Sequence, residues 1–264
     1  MTFNDWPWRH WHQRRGEALA LRLNNPPLTW RELCARVDAL ASGFAAQGVM
    51  EGQGVALRAY NQPETLLAWL ALLQCGARVL PLNPQLPAVL LQALLPALTM
   101  QHQLVLNGDV LPGNLPMLTL QLVEGEHAVC WHGDRLVSMT LTSGSIGLPK
   151  AAVHSASAHL ASAAGVLALM PFAAGDDGRR SLPLCHVSGP GIVWRWLLAG
   201  ARLTVCDKQP LAQMLHGCTH ASLVPTQLWR LLNDDAGGSL KAVLLGGAAM
   251  PGELTVRAGK QGIR

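Results

Sequence analysis

Leu33, Val37, Leu40 and Phe44 recur at the spacing of one helical face. Thr29 stands three residues ahead of Glu32, the spacing at which a hydroxyl and a carboxylate cap each other's backbone. Together they predict a helix running to about Gln47 and closed by Gly48. The short run from Gly54 to Ala59 reads as a buried strand. Pro63-Glu64 then opens an apolar helix that should end near Gly76. Ala77 to Leu82 is the next strand, and Asn83-Pro84 turns the chain out of it. Strand, helix and strand in alternation predict parallel pairing through helical crossovers. Residues 85–120, rich in Leu and Pro, hold at least one more such unit. From about 105 to 135 the pattern weakens, with Asn107-Gly108, Pro112-Gly113 and Gly133-Asp134 as turn signals, and a soft boundary is placed near 135.

Beyond it, Leu136 to Leu141 reads as a strand feeding the polar stretch TSGSIGLPK at 142–150. An Ala-rich helix over about 156–169 follows, then the segment Ser181–Gly189, an apolar helix over 190–199 and a strand from Ala201 to Val205. A helix at 210–216, a strand from Ala221 to Val224 and a helix from Thr226 to Leu232 come next. The strand from Lys241 to Leu245 enters Gly246-Gly247, and an amphipathic helix precedes Gly262. The pattern is that of a layered α/β protein with mostly parallel sheets and no internal repeat.

Composition narrows the classes. The 264 residues are 50% hydrophobic and 14% charged, enough apolar material for one large core or two lobes sharing a sheet. The net charge is +4 and the pI about 8.9, but the basic residues are scattered after Arg9, Arg14 and Arg15, which argues against nucleic acid. The densest apolar run, Leu66–Leu73, is stopped by Gln74, far short of the roughly 20 residues of a membrane span. The N-terminus carries an early acid and no apolar stretch, so it does not read as a secretory signal. Six cysteines (Cys34, Cys75, Cys130, Cys185, Cys206, Cys218) form no C-x-x-C pair and read as reduced core residues of a cytoplasmic protein.

Against that apolar background TSGSIGLPK concentrates three hydroxyls, two glycines and a lysine. Gly144 and Gly147 permit tight turns and close backbone approach. Thr142, Ser143 and Ser145 add donors, and Lys150 adds a positive charge, a set suited to a polyphosphate. It is not the P-loop G-x-x-x-x-G-K-[ST], because Lys150 follows Pro149 and no Ser or Thr follows it. A dinucleotide G-x-G-x-x-G is absent. A second feature is Arg195, set between Trp194 and Trp196 in an otherwise apolar helix. Buried there it calls for an anion, unless it snorkels or pairs with a neighbouring acid.

The stretch resembles the phosphate-binding loop of the adenylate-forming superfamily of acyl-CoA synthetases, luciferases and peptide-synthetase adenylation domains, close to T-S-G-[ST]-T-G-x-P-K. Leu28–Leu33, Gly76–Pro84 (GARVLPLNP), Leu182–Gly189 (LPLCHVSG), Val224–Leu228 and Gly246–Ala249 resemble further family segments in the family's order. A narrower likeness, in DWPWRHW at 5–11, HASLVPTQLWRLL at 220–232 and SLKAVLLGGAA at 239–249, is to the 2-succinylbenzoate–CoA ligases of menaquinone synthesis. The resemblance implies two half-reactions: ATP and a carboxylate give an acyl-adenylate and pyrophosphate, and CoA then displaces AMP. It implies ATP phosphates at Thr142, Ser143, Gly144, Ser145, Gly147 and Lys150, and adenine at Gly246, Gly247 and Ala248. His186, Arg195 and Ser222 become candidates for the acyl substrate, with 2-succinylbenzoate, ATP and CoA as small-molecule partners and Mg2+ as cofactor. Left open are a merely hydrogen-bonded His186, an ordinary strand serine at 222 and a simple strand-end turn at Gly246-Gly247.

Two departures from the family matter. Ile146 stands where threonine is usual, losing a hydroxyl worth about 1.5–3 kcal/mol if it held phosphate. The family's Y-G-x-T-E segment, its ribose-binding Asp, hinge and small C-terminal domain with the adenylation lysine are not found in these 264 residues. The expectation is therefore a truncated large N-terminal AMP-binding domain, incomplete at its C-terminus and holding no confident catalytic residue. Impaired activity and aggregation at unpaired strand edges are expected with it. The competing readings are a catalytically dead nucleotide- or acyl-binding pseudoenzyme, a gene remnant, or a ligase for a different aromatic acid. An unrelated P-loop NTPase is disfavoured by the missing G-K-[ST].

Overall fold

The computed structural model describes residues 2–23, 26–142, 149–179, 181–205, 210–234 and 237–264. Helix α1 (Pro7–Arg15) starts on a proline, whose fixed φ suits a first turn, and buries Trp8 and Trp11. Each ring keeps its one polar atom satisfied: Trp8 Nε1 donates to Gln74 Oε1 and Trp11 Nε1 to the Leu197 carbonyl, both at 2.7 Å. Strands β1 (Leu19–Arg22) and β2 (Leu28–Thr29) lead into α2 (Trp30–Ala46). The capping box forms as expected. Thr29 Oγ1 accepts from the Glu32 N–H at 3.2 Å, and the Glu32 carboxylate accepts from the Thr29 N–H at 2.8 Å. Leu33, Val37, Leu40 and Phe44 are all buried, and Gly48 closes the helix at φ +91°.

The expected strand–helix–strand unit follows as β3 (Gly54–Arg58), α3 (Pro63–Gln74) and β4 (Arg78–Leu82). Every residue of α3 but Glu64 is buried, which is why its sequence is apolar all round. Residues 85–120 supply α4 (Ala88–Leu94), β5 (His102–Val105) and β6 (Met117–Leu118). The second half runs β7 (Leu136–Thr142), β8 (Lys150–Ser155), α5 (Ala156–Leu169), β9 (Asp177–Arg179), α6 (Ser188–Ala199) and β10 (Arg202–Thr204). It closes with α7 (Leu211–Leu215), β11 (His220–Leu223), α8 (Pro225–Asn233), β12 (Ala242–Leu245) and α9 (Gly252–Lys260).

Two six-stranded sheets result, in the orders β6-β5-β3-β4-β7-β8 and β12-β11-β9-β10-β1-β2. Only the β7–β8 and β1–β2 pairs are antiparallel among the described residues. Strands from either side of residue 135 pair in both sheets: β7 with β4 in the first, and β1 with β10 in the second. Helices α1, α2, α3, α5 and α6 share one large core in which Trp30 of α2 stacks on Trp196 of α6, 5.1 Å between centroids and 14° apart, while α4 and α7–α9 pack in two smaller clusters.

The pattern of the sequence did not announce α1, β1, β2, β8 or β9. Strand β9 is Asp-Gly-Arg, a turn by composition, yet all three residues are buried. Asp177 accepts from Thr204 Oγ1 at 2.7 Å and pairs with Arg22 at 3.1 Å, which offsets the cost of an interior charge. Strand β8 lacks an apolar/polar alternation and is set by its ladder to β7, with Leu141 opposite Ala151 and Thr142 opposite Lys150. The cysteine reading needs one correction. Cys34, Cys75 and Cys218 are buried, and burial pushes their thiols up to about 12, 12 and 11, but Cys185 is half-buried and Cys130 is exposed. Cys206 lies outside the described residues. No helix among the described residues is long and apolar enough to cross a membrane.

Candidate functional site

A cleft of about 860 Å³ opens at the carboxyl ends of β7, β11 and β12. The carboxyl ends of parallel strands are where α/β sheets bind ligands, because helices cover the faces and only the loops there are free to diverge. Thr140 and Thr142 come from β7, Ser222 to Val224 from the end of β11, and Leu244 to Gly247 from the end of β12. Helices α5 and α6 form the side walls through Ser162 and Val166 on one side and Ser188, Gly191 and Arg195 on the other.

The sequence of α6 explains its orientation. Ser188, Gly191 and Arg195 fall on one helical face and line the cleft, while Val193, Trp194, Trp196 and Leu197 are fully buried in the core. Arg195 is itself only 9% exposed. Its Nη2 donates to Ser222 Oγ at 2.7 Å, and it pairs with no acidic side chain among the described residues. Burial lowers its pKa to about 10, so the guanidinium is charged at neutral pH. Neither a snorkelling arginine nor one matched to a neighbouring acid fits this environment. Ser222, also buried, spends a lone pair on Arg195 and keeps its own O–H free to donate.

A buried network holds α6 in place. His159 of α5 lies flat on Trp194, 5.4 Å between centroids and 7° apart, and its Nε2 is 2.6 Å from Ser138 Oγ on β7. Burial first, and then the neighbouring His154, lower the His159 pKa to about 4, so the ring is neutral. His154 is 5.3 Å from His159 and lines the cleft.

Residues 8–264 match the AMP-binding enzyme family. The chain belongs to that family. It is 70% identical over 264 residues to the 2-succinylbenzoate–CoA ligase of Escherichia coli K12, covering all of this chain and 58% of that relative. It is 40% identical over 255 residues to the ligase of the same name from Haemophilus influenzae, covering 94% of this chain and 54% of the relative. The R195K variant of E. coli MenE with bound OSB-AMS superposes with a TM-score of 0.97 at 69% identity, over all of this chain and 59% of that one. The fold alone is shared with the O-succinylbenzoate coenzyme A synthetase of Bacillus subtilis solved in complex with AMP, with a TM-score of 0.89 at 21% identity over 98% of this chain and 58% of that one. The chain thus spans a little over half the length of the relatives it matches.

In this AMP-binding fold the residues singled out from sequence divide as follows. Arg195, Ser222, His186, Thr142, Gly246 and Gly247 all line the cleft. His186 is exposed at its lip. Gly247 sits at φ +84°, where a side chain would be strained. Ala248 follows it, exposed and beyond the lining residues, as is Lys150. Thr142 and Lys150 close the β7–β8 ladder, with Thr142 Oγ1 donating to the Lys150 carbonyl at 3.1 Å. Ser143, Gly144, Ser145 and Gly147, with Ile146 among them, lie outside the described residues. Sequence reasoning missed Thr140, His154, Ser162 and Gly191, all cleft residues. The signal for His154 was its place on β8, and that strand went unread.

Proposed function

We propose that this chain carries the acyl- and nucleotide-binding part of an acid–thiol ligase that activates 2-succinylbenzoate with ATP and passes the acyl group to CoA in menaquinone synthesis, in the cytoplasm. In the first half-reaction a carboxylate oxygen attacks the α-phosphorus of ATP and pyrophosphate leaves, giving the acyl-adenylate. In the second, the CoA sulfur attacks the acyl carbonyl carbon and AMP leaves.

The observation that carries the acyl assignment is the Arg195–Ser222 pair. It is a charged, buried guanidinium with no acidic partner among the described residues, facing a cleft whose other walls include Leu182, Val166 and Leu223. Such a group is costly until an anion arrives. A second carboxylate on an aromatic acid supplies that anion while its ring occupies the apolar walls. Arg195 and Ser222 then orient the unreactive carboxylate and leave the other facing the β7 and β12 ends. At those ends Gly246, where a Cβ would meet no atom within 4 Å, and Gly247 leave a flat strip suited to adenine, with Ala248 after them. Thr142 and Lys150, with Ser143, Gly144, Ser145 and Gly147, are the phosphate donors in this reading, and His186 orients substrate from the lip. No three His, Cys, Asp or Glu side chains gather as a metal site among the described residues.

The test is a calorimetric titration of the chain with two non-hydrolysable adenylate mimics, one bearing the 2-succinylbenzoyl group and one bearing benzoyl. One charge-assisted contact is worth about 1.5–3 kcal/mol, so the succinylbenzoyl mimic should bind roughly ten- to a hundredfold tighter. Equal affinities would remove Arg195 from the acyl site and the substrate assignment with it.

A further inference from the structure

Of the 14 residues of α5 only Ala156, His159 and Ala163 are buried, so His159 is the one large side chain this helix buries. An apolar residue there would be buried at no polar cost. The imidazole is instead kept neutral, its pKa lowered to about 4 by burial and then by His154. What the ring adds is direction. Its Nε2 lies 2.6 Å from Ser138 Oγ, and Ser138 is fully buried on β7. Its face lies flat on Trp194 of α6. Trp194 is fully buried and its indole N–H has no hydrogen-bond partner among the described residues. Packing therefore sets its position, with His159 on one ring face and Trp69 of α3 set edge-on, 6.4 Å between centroids and 83° apart.

We propose that His159 is a positioning residue that fixes the spacing between the acyl and nucleotide halves of the cleft. The inference rests on the acyl-adenylate reading given above. Ser138, Thr140 and Thr142 alternate along one face of β7, and the last two line the cleft. Trp194 is the chain neighbour of Arg195, which bonds to Ser222 of the second sheet. One imidazole thus touches both the first-sheet strand that leads to the phosphate donors and the helix that carries the acyl anchor. A ring bonded at its edge and stacked at its face admits little sliding in either direction. A displaced wall can follow a ligand that occupies one half alone. A ligand joined across both halves needs the two anchors at one separation, so it senses a shift that neither part would.

The experiment compares the parent chain with Ser138→Ala, His159→Phe and the double variant. Calorimetry gives affinities for 2-succinylbenzoate, for AMP and for the non-hydrolysable succinylbenzoyl-adenylate mimic that joins them. Each single variant should weaken the joined mimic roughly tenfold, while 2-succinylbenzoate and AMP each stay within about twofold. The double variant should lose no more than a single one, because both changes remove the same bond. It also leaves neither partner buried and unpaired, so it carries the test if a single variant fails to fold. A mimic weakened no more than its parts, or losses that add in the double variant, would overturn the positioning role. A parent that binds none of the three overturns the acyl-adenylate reading instead. The link is then judged by hydrogen exchange, which should quicken at the α6 amides in Ser138→Ala although Ser138 lies on β7. Unchanged α6 exchange would overturn it.

Discussion

Arg58 ends β3 inside the first sheet and donates to the backbone carbonyls of Asp109 at 2.8 Å, Pro84 at 2.5 Å and Leu86 at 3.2 Å. Arg195, on α6 beside the open end of the second sheet, donates to the Ser222 hydroxyl at 2.7 Å. Both are nine-tenths buried, and neither has an acidic partner among the described residues. The difference lies in how fully their donors are used. Arg58 ties three loop carbonyls together through Nη1 and Nη2, with Nε buried and unpaired, so its charge is part of the fold. Arg195 keeps donors in hand at a cavity, so its charge is available to a ligand. The sharpest way to break the comparison is at Arg58. Arg58→Met leaves carbonyls of residues 84, 86 and 109 without donors, and should cost on the order of 4 kcal/mol, read as a lowered urea midpoint. A loss below about 1 kcal/mol would mean that burial alone does not distinguish a structural guanidinium from a functional one.

The wall behind Arg195 is held by a neutral imidazole, and its pH response is next in size. The His159 pKa is lowered to about 4 by burial and then by His154, against about 6.5 in an unfolded chain. Between those values the unfolded state binds more protons, so stability rises with pH across the window. Its contribution is complete above about pH 6.5 and is lost as pH falls toward 4. The loss is on the order of 3 kcal/mol. Burial lowers His102, His220 and His10 as well, so their slopes carry the same sign and the assignment must come from a difference. His159→Phe keeps a flat ring against Trp194 but cannot titrate. Its urea stability should fall less steeply from pH 6.5 to 4 than the parent's, and identical slopes would place the titration elsewhere.

Arg195→Met probes the ligand side. Replacing a buried charge by an apolar side chain of similar length is often neutral for a fold, so the urea midpoint should move by less than about 1 kcal/mol. Affinity for 2-succinylbenzoate should drop roughly ten- to a hundredfold, while that for 4-oxo-4-phenylbutanoate, which has the same arm without the ring carboxylate, is unaffected. A destabilisation as large as that of Arg58→Met would erase the contrast between the two arginines.

Features set by local chemistry were readable from sequence. The Thr29–Glu32 cap and the Leu33–Phe44 stripe lie within one helix, and the alternation around β3, α3 and β4 follows from short-range pattern. Arg195 was readable because a charge in an apolar helix needs a partner. What was not readable depends on distant residues. Asp177 is acceptable inside β9 only because Arg22 and Thr204 reach it from β1 and β10. The hydroxyl facing Arg195 comes from residue 222, and the imidazole behind it bonds to Ser138, 21 residues earlier.

Ser222→Ala is the smallest test and bears most directly on the comparison. It removes the one hydroxyl holding Arg195 Nη2, a hydrogen bond to a charged group that is worth up to about 3 kcal/mol where the orphaned donor stays buried. At Arg195 the orphaned group lines the cleft, so its freed N–H can turn to water there, and the expected loss is only about 1 kcal/mol. Of the carbonyls released by Arg58→Met, that of Pro84 is buried together with its hydrogen bond and has no such access. The two midpoints, measured in one urea series, should therefore differ severalfold although each variant removes hydrogen bonds from a buried guanidinium. Affinity for 2-succinylbenzoate should fall less in Ser222→Ala than in Arg195→Met, because the guanidinium stays and only its aim is loosened. An equal fall in the two variants would mean that the aim Ser222 gives the guanidinium counts for as much as the charge itself.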